Sequence, residues 1–201
     1  MLVGDILKTT ALRYPNKVGI VYGGSDYYTW SEMDRRANSL ANGLLDLGLD
    51  RQDRVAILCR NCPEYLVLYF ACARAGLIAV PLNTWYKEKE LSFLINDSGA
   101  RAIVVDEQLT DTISKADTRC VEYFIGFGSK HHYPYDLNRL LTEPPAVEPK
   151  ATIDEDDLFA LSYPSGTTCR PKGCMISHRN SVAAVTRMAL ELRVMLHSVY
   201  L

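Results

Sequence analysis

Apolar and polar positions along this chain switch repeatedly between two periods. Thr29-Trp-Ser-Glu32 has the spacing of a capping box, in which Thr29 serves the third amide of a helix and Glu32 reaches back. The helix it opens carries Met33, Ala37, Leu40, Ala41, Leu44 and Leu47 on one face, and Gly48 stops it. Arg54-Val-Ala-Ile-Leu58 then reads as a buried parallel strand. A second helix, apolar nearly all round, runs from about Pro63 to Ala75 and ends at Gly76. Leu77 to Val80 is the next strand, closed by Pro81. Glu88 to Ile95 is helical, Arg101 to Asp106 a strand, Glu107 to Ala116 a weaker helix, and Arg119 to Ile125 a further strand. Strands alternating with helices at this spacing predict βαβ units: an α/β fold with a mostly parallel sheet and helices on both faces.

Past residue 143 the pattern loosens. Pro144, Pro145 and Pro149 mark a loop, and the acidic run Asp154-Glu-Asp-Asp157 reads as a solvated linker end. Leu158 to Tyr163 looks like a short buried strand, Cys174 to Ser177 like the start of another, and about Asn180 to Met195 like a helix. The expected organisation is a first α/β subdomain over 1–143, a linker over 144–157, and the start of a second subdomain over 158–201.

Between those two strands lies the chemistry. Tyr163-Pro-Ser-Gly-Thr-Thr-Cys-Arg-Pro-Lys-Gly173 concentrates hydroxyls, glycines and one lysine in a single loop. Gly166 and Gly173 permit φ > 0 and close approach of a ligand to the main chain. Successive N–H groups in such a turn form an anion-binding concavity. Ser165, Thr167 and Thr168 can donate to phosphate oxygens or ligate Mg²⁺, and Lys172 supplies a compact positive charge. The spacing is not that of a P-loop NTPase, where Gly precedes the Lys and Ser or Thr follows it into a helix. No Gly-x-Gly-x-x-Gly occurs either. On composition alone, a solvated Ser/Thr/Gly hairpin loop without a ligand is the competing reading.

The order of residues in Tyr163 to Gly173, followed by Ser177-His-Arg-Asn180, closely resembles the phosphate-binding signature of the AMP-forming ligases. That superfamily includes acyl-CoA synthetases, adenylation domains of peptide synthetases and luciferases. Tyr28-Thr-Trp-Ser-Glu32, Asp53-Arg-Val-Ala-Ile57, Asn61-Cys-Pro-Glu64, Ala75-Gly76 and Val80-Pro-Leu-Asn83 also sit in the family's order, so the resemblance covers about residues 5–200. Asn83-Thr84 followed by Lys89-Glu-Leu91 is most like the acyl-CoA synthetase branch, including fatty-acid ligases.

The resemblance implies ATP, Mg²⁺ and a carboxylic acid as ligands, with coenzyme A as co-substrate. The carboxylate attacks the α-phosphate to give an acyl-adenylate and pyrophosphate, and the thiol then displaces AMP. Carried across, Ser165, Gly166, Thr167, Thr168, Lys172 and Gly173 bind ATP, with Thr167 or Thr168 near Mg²⁺. Two departures imply a weaker grip: Pro164 stands where the family has Thr or Ser, and Cys169 where it has Gly. The family's later motifs and its C-terminal lobe, which brings a catalytic lysine, have no counterpart here. The expectation is therefore the N-terminal portion of a carboxylic acid–CoA ligase, without catalytic residues of its own and inactive alone. Alternatives are a non-catalytic interaction module or pseudoenzyme that pairs with itself or a complementing chain through a bare sheet edge, and a small anion-binding protein.

Composition narrows this further. A net charge of −2 over 201 residues, with no Lys/Arg cluster, argues against a nucleic-acid binder. No signal peptide and no run of about 18 apolar residues occurs, which predicts a cytoplasmic protein, with peripheral membrane contact for a lipid substrate. Cys59-x-x-Cys62 has redox or zinc spacing but no second pair, so its thiols read as the end of a buried strand; Cys72 and Cys120 read as core. His131 and His132 read as surface residues, and His178 as a packing residue rather than a general base.

Overall fold

In a computed structural model of the protein, residues 1–164, 171–194 and 198 are described. The chain opens with helix α1 (Val3–Arg13) and a hairpin of β1 (Val18–Tyr22) and β2 (Asp26–Thr29), which form their own antiparallel two-stranded sheet. Then follow α2 (Trp30–Asp46), β3 (Arg54–Leu58), α3 (Pro63–Ala75), β4 (Ile78–Pro81), α4 (Glu88–Ser98) and β5 (Ala102–Asp106). A 3-10 turn (Glu107–Leu109) leads to the short α5 (Thr110–Ile113), then β6 (Tyr123–Phe127), β7 (Tyr135–Asp136) and α6 (Leu137–Leu140). The last described elements are β8 (Leu158–Ser162), β9 (Cys174–Ser177) and α7 (His178–Glu191).

Seven strands form one sheet in the order β7-β6-β5-β3-β4-β8-β9. All neighbours are parallel except β8 and β9, which pair antiparallel. Side chains alternate across the sheet, so it builds two cores. On one face Val55, Ile57 and Val104 pack with Leu40 and Leu44 of α2, Val67 and Leu68 of α3, and Leu137 of α6. On the other, Ala56, Leu58, Ile103 and Val105 pack with Leu91, Leu94 and Ile95 of α4 and Ile113 of α5. The expected mostly parallel sheet with helices on both faces is thus present.

The capping box at Thr29 forms as its spacing requires: Thr29 Oγ1 accepts from Glu32 N at 3.2 Å, and Thr29 N donates to Glu32 Oε2 at 2.8 Å. Gly76 ends α3 with φ of 70°, a conformation that costs any residue with a Cβ.

Several boundaries differ from expectation. The strand expected from Arg119 begins at Tyr123, because Glu122 N and Tyr123 N both bond to Arg101 O and so set where pairing with β5 starts. Arg119 instead folds back on Asp117. The helix expected over 107–116 is reduced to the 3-10 turn and the single turn of α5. The last helix starts at His178, two residues early, because Ser177 is its cap: Ser177 Oγ accepts from Asn180 N at 3.2 Å.

The acidic run faces solvent, as expected, but it is ordered by ion pairs. Arg51 holds Asp157 through two hydrogen bonds, at 2.8 and 2.5 Å, and Arg179 holds Asp156 at 2.7 and 2.9 Å. Arg179 also lies 3.3 Å from Glu155. The run therefore ties the start of α7 to the segment feeding β8 and to the turn before β3.

Candidate functional site

The parallel strands all deliver their carboxyl ends to one rim. The chain leaves β3 for β4 on one side, then crosses back to β5 on the other, so connections diverge around β3. In open α/β sheets that divergence leaves a crevice where ligands bind. Here a crevice of about 620 Å³ is lined by Arg60 and Asn61 after β3, Asn83 and Trp85 after β4, and Ser162 and Tyr163 at the end of β8.

The loop singled out in the sequence starts at this rim. Ser165, Gly166, Thr167 and Thr168 lie outside the described residues, as does Cys169. Lys172 and Gly173 are described and exposed at the entry to β9. Gly173 is not in the left-handed region that its type permits. A Cβ there would lie 2.8 Å from Leu161 Cδ1 and 3.3 Å from Tyr163 Cζ, so both side chains would have to give way to any larger residue. Tyr163, 7% exposed, donates its hydroxyl to Asp97 Oδ2 on α4 at 2.7 Å. Burial, then the bond to Asp97, raises its phenol well above the ordinary range.

The rim carries further ordered charge. Arg60 donates to buried Asp106 at 2.8 and 3.3 Å, and Asp106 also accepts from Gln108 N at 3.0 Å. Burial pushes the Asp106 carboxyl up, but these hydrogen bonds outweigh it and hold it below the ordinary carboxylate value. No motif marks Arg60 or Asp106; a strand-terminal acid facing a strand-terminal arginine is the signal that could have found them.

The remaining candidates are structural. Burial pushes the thiols of Cys59 and Cys72 up, that of Cys72 to about 12, and Cys62 is pushed up to about 11. Among the described residues no group of three His, Cys, Asp or Glu side chains could hold a metal ion. His178 is fully buried; its Nδ1 accepts from Val3 N at 3.2 Å, and its ring lies 5.6 Å from that of Phe159. It packs α1 onto the β9–α7 corner. His131 is not a free surface residue: its side chain lies over Gly126, where a Cβ would meet its Cγ at 2.1 Å, and stacks on Tyr133 at 6.2 Å.

A mostly parallel sheet whose rim leads into a hydroxyl- and glycine-rich hairpin loop ending in Pro171-Lys172-Gly173 is the architecture of the AMP-forming ligases. The chain belongs to the AMP-binding enzyme family, whose profile matches residues 7–201. It is 35% identical to a feruloyl-CoA synthase from Amycolatopsis over 83% of this chain and 31% of that protein. It is 30% identical to the long-chain-fatty-acid–CoA ligase FadD13 of Mycobacterium tuberculosis, over 93% of this chain and 37% of the relative. The inhibitor-bound N-terminal domain of FACL13 from Mycobacterium tuberculosis superposes with a TM-score of 0.86 at 29% identity, covering 94% of this chain and 47% of that one. ATP-bound MatB from Rhodopseudomonas palustris superposes with a TM-score of 0.82 at 29% identity, over 96% and 38%. The chain spans about a third of the length of the curated relatives it matches. No helix among the described residues is long and apolar enough to cross a membrane.

Proposed function

We propose that this chain supplies the nucleotide-phosphate grip of an ATP-dependent, AMP-forming carboxylic acid–CoA ligase, with a fatty or other acyl acid as substrate. The observation that carries the reading is the β8–β9 hairpin. It opens at the carboxyl rim of the parallel sheet and presents exposed Lys172 there, with Gly173 beside Tyr163 at its base.

In this reading Ser165, Thr167 and Thr168 offer hydroxyls to the β- and γ-phosphates, with Thr167 or Thr168 beside Mg²⁺. Gly166 lets the main chain approach the phosphates, and Lys172 opposes their charge. ATP·Mg²⁺ supplies the adenylyl group and, in pyrophosphate, a leaving group whose charge grows as the carboxylate attacks. Fixed donors at that position act by placement and electrostatics. Thioesterification by coenzyme A follows in the complete ligase; the chain alone binds ATP·Mg²⁺ without turning it over.

Isothermal titration with ATP·Mg²⁺ tests this. The expected constant is millimolar, about 4 kcal/mol of binding free energy. Lys172→Ala removes a charge-assisted contact of roughly 1.5–3 kcal/mol, a loss of about tenfold to a hundredfold. Unchanged affinity in that variant refutes the role of Lys172. A micromolar constant with AMP release from ATP, fatty acid and coenzyme A refutes the absence of turnover.

A further inference from the structure

The loop begins with a tyrosine whose hydroxyl is held by Asp97, a residue that no sequence motif marks. Tyr163 is its first residue, and its side chain lies where three parts of the fold come together. The hydroxyl donates to Asp97 Oδ2 of α4 at 2.7 Å. Tyr163 belongs to the hydrophobic core under α4 that also includes Leu91, Leu94 and Val80. At the far end of the loop the backbone of Gly173 lies so close that a Cβ would meet Tyr163 Cζ at 3.3 Å and Leu161 Cδ1 at 2.8 Å.

One phenol thus connects the strand that enters the loop, the residue that leaves it, and a helix packed on the face of the sheet. α4 is itself a firm anchor. Arg54 clamps the carbonyls at its end, donating to Ser98 O at 2.9 Å and Gly99 O at 2.7 Å.

We infer that Tyr163 and Asp97 are a positioning pair: their hydrogen bond holds the Tyr163 ring as the seat for Gly173, and so sets the spacing between the two ends of the phosphate loop. The pair serves the loop as a support. It acts on Lys172, whose place relative to β8 is fixed through the neighbouring Gly173. The inference deepens the phosphate-grip reading and rests on it for its consequence, but its structural half is independent of any ligand.

Tyr163→Phe and Asp97→Asn separate the two. Tyr163→Phe keeps the ring and removes only the donor; Asp97→Asn replaces a charged acceptor by a neutral one. The ligand-free readout is the rate of tryptic cleavage at Lys172–Gly173, which follows local opening when reclosing is fast. A hydrogen bond of ordinary net strength predicts a roughly threefold to tenfold faster cut in each variant, and no further gain in the double variant. Leu137→Ala, a core change on the other face of the sheet beside its β7 edge, controls for global destabilisation and should leave that cut unchanged. Equal cleavage rates in wild type, Tyr163→Phe and Asp97→Asn overturn the inference.

The second readout is affinity for ATP·Mg²⁺, expected to fall by a similar factor in both variants. Faster cleavage with unchanged affinity shows a structural fastener only and overturns the positioning role. If the wild type binds no ATP·Mg²⁺, the phosphate-grip reading fails and takes the positioning role with it, while the cleavage rates still decide whether the pair fastens the loop.

Discussion

Arg74→Met should be the costliest single polar substitution in the helical layer that carries α1. Arg74 stands at the end of α3, only 7% exposed, and its guanidinium reaches two other helices. Nη1 donates to Asn38 Oδ1 at 2.6 Å and to Asp34 O at 3.1 Å, both on α2; Nη2 donates to Asp34 Oδ1 at 2.5 Å and Gly4 O at 3.4 Å. The stem is held as closely as the head, since Cγ lies where a Cβ on Gly4 would come within 2.9 Å. Methionine keeps most of that stem and removes every donor.

Breaking a buried ion pair by losing one partner costs about 3–5 kcal/mol when the other charge stays buried. Asp34 is not that case: its side chain is 24% exposed and can recover water, which lowers its share. Asn38 is 7% exposed and its acceptor loses its partner outright, at about 1–3 kcal/mol. The expected loss is therefore about 2–4 kcal/mol, a large part of the stability of a domain this size. Equilibrium unfolding in urea measures it as a lower midpoint with unchanged slope. Adding Asp34→Asn to Arg74→Met should cost less than the sum of the two singles, because both remove the same pair. A loss below about 1 kcal/mol for Arg74→Met, or strict additivity in the double variant, would refute the reasoning.

Burial lowers the His178 imidazole below its ordinary value of 6.5, against the opposing pull of Asp157 and Asp5. The folded state then binds fewer protons than the unfolded one below that pH, so stability is complete above about 6.5 and falls as pH drops toward the folded value. Urea midpoints of the wild type should decline from pH 7 to 5, and those of His178→Gln should decline less; parallel curves would contradict the assignment. Iodoacetamide mapping at pH 8 should label exposed Cys174 and spare Cys59 and Cys72 until denaturant is added, because both are buried with thiols pushed up. Labelling of either buried thiol in the native protein would contradict that packing.

What could be read in the sequence follows from how local each signal is. The cap at Thr29, the stop at Gly76 and the strand at Arg54–Leu58 are each specified within a few residues, and each stands where its pattern puts it. The β1–β2 hairpin has no buried run to mark it, although its turn carries Gly23 and Gly24 at φ of 61° and 79°, a pairing favoured in tight antiparallel turns. Its strands expose Val21, Tyr22 and Tyr27, and that inverted burial hides them. Helix α1 gives a weak local signal too: its cap position is Leu2, whose side chain offers no acceptor. It is secured by Arg74 and by His178, 70 and 175 residues away from their partners on α1.

The same division runs through the candidate site. Tyr163 to Gly173, followed by Ser177-His-Arg-Asn180, carries the resemblance to the family because those residues lie close together in the sequence. Asp97 is 66 residues from Tyr163 and has no spacing rule that would mark it. Gly173 shows why the distinction matters for chemistry. Its residue type suggests backbone freedom, whereas its geometry makes it a contact surface for Tyr163. A phosphate loop needs donors of the right kind, which a motif specifies, and a fixed distance between its ends, which only the packed sheet and α4 can impose.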